Sequence, residues 1–245
     1  ERRCPLPSHQ ASAREMLVIL KEHKIPIDAV GHRFVHGGEL FKATTRVDEH
    51  SLSGLKQVLP LAPIHNPNSF SAIQVCLDAL PGIPEFIVFD TAFHAALPVE
   101  AREYALPRDL ADRYGLRKYG FHGLSYQYVS ARAAAMLEQP LDQVKLIMCH
   151  LGTGGSSVCA FTDGHSVETS MGFSPLAGLV MSTRCGDIDA EVALELVRQG
   201  MFADEVSRIL NNKSVLIGLS GYSSNLAEII EAAEAGDDRC RIAYE

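Results

Sequence analysis

The chain has 245 residues with 30 acidic and 22 basic side chains, a net charge of −8, which argues against a nucleic-acid-binding surface but not against a local anion site. With 47% hydrophobic and 21% charged residues it has the composition of an ordinary soluble globular protein, long enough for two domains. No apolar run approaches the roughly 20 residues of a membrane span, and six isolated cysteines without a CxxC pair imply neither a disulfide framework nor a zinc site, so a reducing cytoplasm is expected. The opening Glu1-Arg2-Arg3-Cys4-Pro5 lacks the apolar core of a secretory signal, and without an initial Met it reads as the start of a fragment.

In chain order, Ser12 to Lys24 has helical spacing, with Met16, Leu17, Ile19 and Leu20 forming the apolar face. A strand starts at Ile27 to Val30 and runs into His32 to His36. Leu52 to Val58 reads as a short helix, Pro60, Pro63 and Pro67 as a rigid loop, and Ser69 to Ala79 as a helix capped by Asn68 or Ser69. Ile83 to Phe89 is a buried strand ending at Asp90. Arg108 to Tyr114 and Tyr126 to Glu138 read as helices. The strand Val144 to His150 turns at Gly152-Thr153-Gly154-Gly155 into Ser156 to Phe161, and Asp163-Gly164 leads to a third strand, Ser166 to Glu168. Cys149 and Cys159, in apolar runs, read as small buried hydrophobes. The helices Ala190 to Arg198, Ala203 to Leu210 and Ser224 to Ala235 close the chain. Strands alternating with helices, with candidate ligand loops at strand ends, indicate an α/β class.

Several residues could carry chemistry. Arg33 lies between two histidines at a strand end and before a Gly pair: it is either a guanidinium fork for a carboxylate or phosphate, or a strand arginine paired with an acid. Asp90, at the C-terminal end of an apolar strand, either serves a site or caps the following turn. His122, between Gly120 and Gly123, could project an imidazole donor or simply bond backbone. The run His150-Leu151-Gly152-Thr153-Gly154-Gly155 could expose backbone N–H groups as a phosphate nest, though it is no Walker loop. His65 is held rigidly between Pro63 and Pro67, which suits a site or a loop equally. The segment Thr169 to Leu179, followed by Thr183-Arg184-Cys185-Gly186-Asp187, has the composition of a loop whose backbone approaches a ligand, with an arginine placed to hold an anion.

Taken in order, His32-Arg33-Phe34-Val35-His36-Gly37-Gly38, Phe89 to His94, Lys118 to Gly123 and Ser170 to Leu179 resemble the acetate kinase family, from about Met16 to the C-terminus. The resemblance implies the two-domain fold of the acetate and sugar kinases, Hsp70 and actin (ribonuclease H-like), divided here as 1–92 on the substrate side and 93–245 on the nucleotide side. It implies ATP and Mg2+, a short-chain carboxylate substrate, a homodimer, no nucleic-acid or membrane partner, and a cytoplasmic location. Arg33 would hold the substrate carboxylate. Asp90, His122 and Arg184 would be the catalytic aspartate, transition-state histidine and second active-site arginine. Val35, Ile64, Phe121 and Pro175 would form the pocket for the acetate methyl, with His65 beside it. His150, Leu151, Gly152, Thr153 and Gly154 would bind phosphate, and Asn225, Leu226 and Ala227 the nucleotide. No metal ligand is implied beyond Asp90, acting through water.

The chain departs from the family pattern on the nucleotide side. The opening Asn-x-Gly-Ser-Ser-Ser loop, the closing Gly-Gly-Ile-Gly-Glu-Asn loop and a late metal-binding Glu are not in it, so it reads as the middle of a kinase. Thr153 stands for the usual Asn, Asn225-Leu226-Ala227 for Asp-Met-Arg, and Leu124 and Tyr126 for Thr and His. Alternative readings are a propionate or butyrate kinase, and a non-catalytic truncated remnant.

Overall fold

The structure, a computed structural model, describes residues 7–152 and 154–245. Cys4 and Thr153 lie outside the described residues. Two compact units divide the chain: Glu1–Ala95 with Phe121–Gln127, and Ala96–Gly120 with Tyr128–Glu245.

The first unit is built on three strands, Val30–Phe34 (β1), Thr45–Arg46 (β2) and Glu85–Phe89 (β3), in the order β1-β3-β2. β1 and β3 run parallel, with Val30 opposite Glu85 and Phe34 opposite Phe89, whereas β2 is antiparallel to β3. Period-two alternation turns His32 and Phe34 inward and Arg33 outward. Three helices accompany the sheet: His9–Glu22 (α1), Glu49–Val58 (α2) and Asn66–Ala79 (α3). Ser8 caps α1 by accepting from the Ala11 N–H at 3.1 Å. Asp48 and Ser51 form a reciprocal capping box at α2. α3 begins at Asn66, three residues before the position expected from the sequence, because Pro67 is admitted in a first turn that needs no N–H from it. The core joins Phe34, Ile87 and Phe89 of the sheet to Leu55 and Val58 of α2 and Ile73 of α3, with Phe41 stacked on Phe89 at 4.7 Å.

One polar pair is sunk into this unit. His32 Nε2 lies 2.7 Å from Glu85 Oε2, both side chains buried, while Glu85 Oε1 has no hydrogen-bond partner among the described residues. Removing one member of such a pair strands the other in low dielectric. His32→Ala should therefore destabilise the protein by about 3 kcal/mol in urea unfolding, and His32→Leu combined with Glu85→Leu should recover most of it. A loss below about 0.5 kcal/mol, the scale of a surface change, would show that the pair contributes little.

The second unit carries the helices Val99–Arg102 (α4) and Arg108–Tyr114 (α5) and most of Gly123–Met136 (α6). Its sheet is an antiparallel meander, Leu146–Gly152 (β4), Gly155–Thr162 (β5) and His165–Thr169 (β6). Met148, Cys159, Phe161, Ser166 and Thr169 point to the buried face. The opposite face of β4 carries Ile147 and Leu151, 79% and 77% exposed, and Cys149. The expectation that Cys149 is buried is thus corrected: an apolar run does not reveal which face of a strand is covered, and the alternation puts Cys149 outward. Five helices follow, Ala190–Arg198 (α7), Ala203–Asn212 (α8), Val215–Ser220 (α9), Leu226–Glu234 (α10) and Asp238–Tyr244 (α11), of which α9, α10 and α11 pack together. α9 and α11 were not expected from the sequence, where their short apolar runs lack a clear period. No helix among the described residues is long and apolar enough to cross a membrane.

Candidate active site

The parallel register of β1 and β3 brings Arg33 and Asp90 together at the C-terminal ends of neighbouring strands, where open α/β sheets hold ligands. The Asp90 N–H donates to the Phe34 carbonyl at 3.0 Å. Arg33 then meets Asp90 with two parallel bonds, Nε to Oδ1 at 3.1 Å and Nη2 to Oδ2 at 2.5 Å. The reading of Arg33 as a strand arginine paired with an acid holds. It is paired with an acid, and because the pairing uses only the Nε side of the fork, its remaining N–H groups have no partner among the described residues. Asp90 is 2% exposed and Arg33 61% exposed, so a buried carboxylate fixes the plane of an open guanidinium. The bond to Asp90 raises the Arg33 pKa, against the lowering effect of burial.

The Asp90 carbonyl accepts from the Gly123 N–H at 3.0 Å, which ties the β3 end to the start of α6. A Cβ on Gly123 would sit 2.2 Å from that carbonyl oxygen, so only glycine permits the approach. His122, the residue before it, is half-buried with φ of 61°, a left-handed conformation that costs a non-glycine residue of order 1 kcal/mol or more. The glycines around it were expected to supply this freedom, but the histidine itself takes the strained backbone. Buried His94 donates from Nε2 to the Phe121 carbonyl at 2.9 Å. Backbone bonds thus bring Arg33, Asp90 and the His122 segment together in the first unit. Val35 and Phe121 are buried, whereas Ile64 is 62% exposed.

In the second unit, the Met171–Asp187 loop is held at several points. The Gly172 carbonyl accepts from the N–H groups of Tyr119 and Gly120 at 3.1 and 3.2 Å, and Phe173 N–H donates to the Tyr104 hydroxyl at 2.8 Å. Asp187 Oδ1 accepts from the Gly178 N–H at 2.7 Å, so Asp187 clasps the loop. Cys185 N–H donates to the Leu210 carbonyl at 2.9 Å. Between these anchors, Arg184 is half-buried and donates from Nη1 to the Pro175 carbonyl at 3.3 Å. No carboxylate pairs with it among the described residues. Burial without a counter-charge pushes its pKa below the usual arginine range.

A cavity of about 910 Å³ in this unit is lined by Leu151, Gly152 and Gly154 together with Ser224, Asn225 and Leu226. The two segments expected to bind nucleotide therefore converge, though His150 and Ala227 lie off the lining. Asn225 caps α10: its Oδ1 accepts from Ala227 N–H at 3.0 Å and its Nδ2 donates to Glu228 Oε1 at 3.2 Å. The phosphate nest is corrected over His150–Gly152. These residues are strand, paired in register with Gly155–Ser157, and a strand points successive N–H groups in opposite directions instead of converging them.

The acetokinase family model matches residues 2–245. The chain belongs to the acetokinase family. It is 45% identical to the acetate kinase of Acetivibrio thermocellus over 98% of this chain and 62% of that protein. It is 44% identical to the Methanosarcina thermophila acetate kinase, over 100% of this chain and 62% of that one. Among solved structures, the Entamoeba histolytica acetate kinase aligns with a TM-score of 0.89 at 44% identity, covering 98% of this chain and 62% of that one. A Francisella tularensis propionate kinase aligns with the same TM-score at 38% identity, covering 96% and 61%. The acetokinase chain described here therefore spans about 62% of the length of these curated relatives, and its α/β fold is the acetate kinase fold.

From the sequence, Asn66 and Tyr104 had no role, and His36 and His94 none beyond their place in the segments that carry the family resemblance. The signal for Asn66 was its place beside His65 between Pro63 and Pro67; nothing in the sequence marked Tyr104.

Proposed function

We propose that the protein transfers the terminal phosphoryl group of ATP to acetate, forming acetyl phosphate and ADP reversibly. The observation that carries this reading lies in the first unit: Arg33, fixed edge-on by buried Asp90, keeps donors unspent among the described residues. A carboxylic acid with a pKa near 4 is already ionised at neutral pH, so its oxygen can attack phosphorus without a general base. A carboxylate–phosphorus bond forms as the bond from phosphorus to the ADP oxygen breaks, and the electron pair leaves with ADP. What such a reaction needs is positioning and neutralisation of the spread charge. By the family resemblance Arg33 takes the carboxylate, and Arg184 and His122 act on the transferring phosphoryl group; Asp90 holds Arg33 in place. The cavity at Leu151, Gly152, Gly154 and Asn225 takes the nucleotide.

Magnesium accompanies ATP in this reading, but the residues described do not build its site. Both Asp90 oxygens are in the Arg33 fork, and no three His, Cys, Asp or Glu side chains among the described residues could hold a metal ion. The homodimer and the cytoplasmic location rest on the family resemblance.

A propionate-preferring activity is the second reading, favoured by the propionate kinase neighbour. Buried Val35 and Phe121 speak for the smaller acyl group. The test is acyl phosphate formation by the protein as its gene encodes it, across acetate, propionate and butyrate. Each added methylene should lower kcat/KM by about 10-fold or more, roughly 1–3 kcal/mol, and Val35→Ala should shift preference toward propionate. Butyrate used as well as acetate would overturn the small-pocket reading, and a folded enzyme without acyl phosphate product would overturn the kinase itself.

A further inference from the structure

Asn66 is fully buried and spends its side-chain amide on the backbone of two other segments. Its Oδ1 accepts from the His36 N–H at 3.2 Å. Its Nδ2 donates to the His36 carbonyl at 3.1 Å and to the Val58 carbonyl at 2.8 Å. The amide thus does for His36 what a neighbouring strand would do, just beyond the end of β1, where no ladder continues. Asn66 is itself rigid. It opens α3 with Pro67 behind it, and its N–H and that of His65 both donate to the Ala62 carbonyl, at 2.8 and 2.9 Å.

His36 extends the connection. Its Nδ1 accepts from the Gly38 N–H at 3.1 Å, which puts the ring proton on Nε2 in the neutral form. Its ring stands edge-on to Phe121, with centroids 5.4 Å apart. A single buried hub therefore links the segments that bear Val35, Ile64 and Phe121, the three apolar residues of the first unit assigned to the acyl group.

We infer that Asn66 is a positioning residue for substrate size: it sets the spacing of Val35 against Ile64 and, through the His36 ring, of Phe121, and so decides how long an acyl chain the enzyme accepts. This rests on the carboxylate kinase reading above. Asn66 touches no reacting atom, so its loss acts on selectivity more than on chemistry. A buried amide that satisfies three backbone groups at once leaves them unpaired when removed, and the segments then move apart.

The test is Asn66→Ala in the protein as its gene encodes it, with folding checked by thermal unfolding. The ratio of kcat/KM for acetate to that for propionate should fall at least about fivefold, within the range one methylene commands. The KM for acetate should rise by more than kcat falls, while the KM for ATP stays within about twofold. Because part of the effect of Asn66 runs through Val35, Asn66→Ala combined with Val35→Ala should lose less selectivity than the two single effects added together. If Asn66→Ala does not fold, His36→Asn supplies the second link: its side-chain oxygen can still accept from Gly38 but no ring meets Phe121, and the ratio should fall again. An unchanged ratio with kcat lowered equally for every acid, or additive effects in the double variant, would overturn the inference while leaving the kinase reading intact. A wild-type enzyme that phosphorylates no short-chain carboxylate would overturn both.

Discussion

Replacing Arg184 or Arg33 with alanine is expected to lower kcat/KM for acetate by about two orders of magnitude or more, the scale of losing a charge-stabilising donor. The argument for Arg184 is electrostatic. A guanidinium that is half-buried, pushed down by desolvation and bonded to a lone carbonyl carries an unmet cost until an anion arrives. An interaction that strengthens as phosphoryl charge spreads lowers the barrier without tightening the ground state, so kcat should fall more than KM rises. Arg184→Lys keeps the charge but not the fork and should recover only part of the loss. For Arg33 the argument is geometric. Asp90 fixes its plane through Nε and Nη2, leaving the other edge for a carboxylate. Asp90→Asn tests that arrangement separately, because it keeps the shape and loses one acceptor, and should raise the KM for acetate while leaving that for ATP nearly unchanged. Near-normal turnover in either alanine variant would remove that arginine from the site.

What could be read from the sequence divides along the distance over which each interaction acts. Arg33 and Asp90 each stood out locally, as a charged residue at the end of an apolar strand. Their pairing did not, because it depends on a parallel register between residues 57 apart in the chain. The buried His32–Glu85 pair is hidden for the same reason, across 53 residues. Asn66 looked like one loop residue among prolines, since its amide bonds to a backbone 30 residues away. The run His150–Gly155 is ambiguous for a different reason: glycines suit a nest and a strand alike, and over His150–Gly152 the ladder of β4 with β5 makes it strand. Cys149 shows the limit of apolar runs, which mark a strand but not its covered face. The family resemblance reached further than local chemistry because it read the order of segments, and order survives where individual residues are ambiguous.

Gly123→Ala should separate packing from helix propensity at the centre of the first unit's site. Gly123 is the first residue of α6, where alanine would ordinarily gain up to about 1 kcal/mol over glycine. Here the added Cβ would lie 2.2 Å from the Asp90 carbonyl oxygen and 2.7 Å from the Phe93 Cβ, so backbone has to move. The atom in the way belongs to the bond that joins the Asp90 segment to the His122 segment, at 3.0 Å from the Gly123 nitrogen. His122, already strained at φ of 61°, cannot absorb the shift by relaxing elsewhere without changing its direction. A displacement of about 1 Å between positioned catalytic groups costs about a hundredfold in rate. The variant should therefore melt at a lower temperature than the parent and lose about two orders of magnitude in kcat, with the KM for ATP within about twofold. Thermal unfolding and steady-state kinetics together decide the case: an alanine variant that is both more stable and fully active would mean that propensity wins, and that Asp90 and His122 do not need this contact to act together.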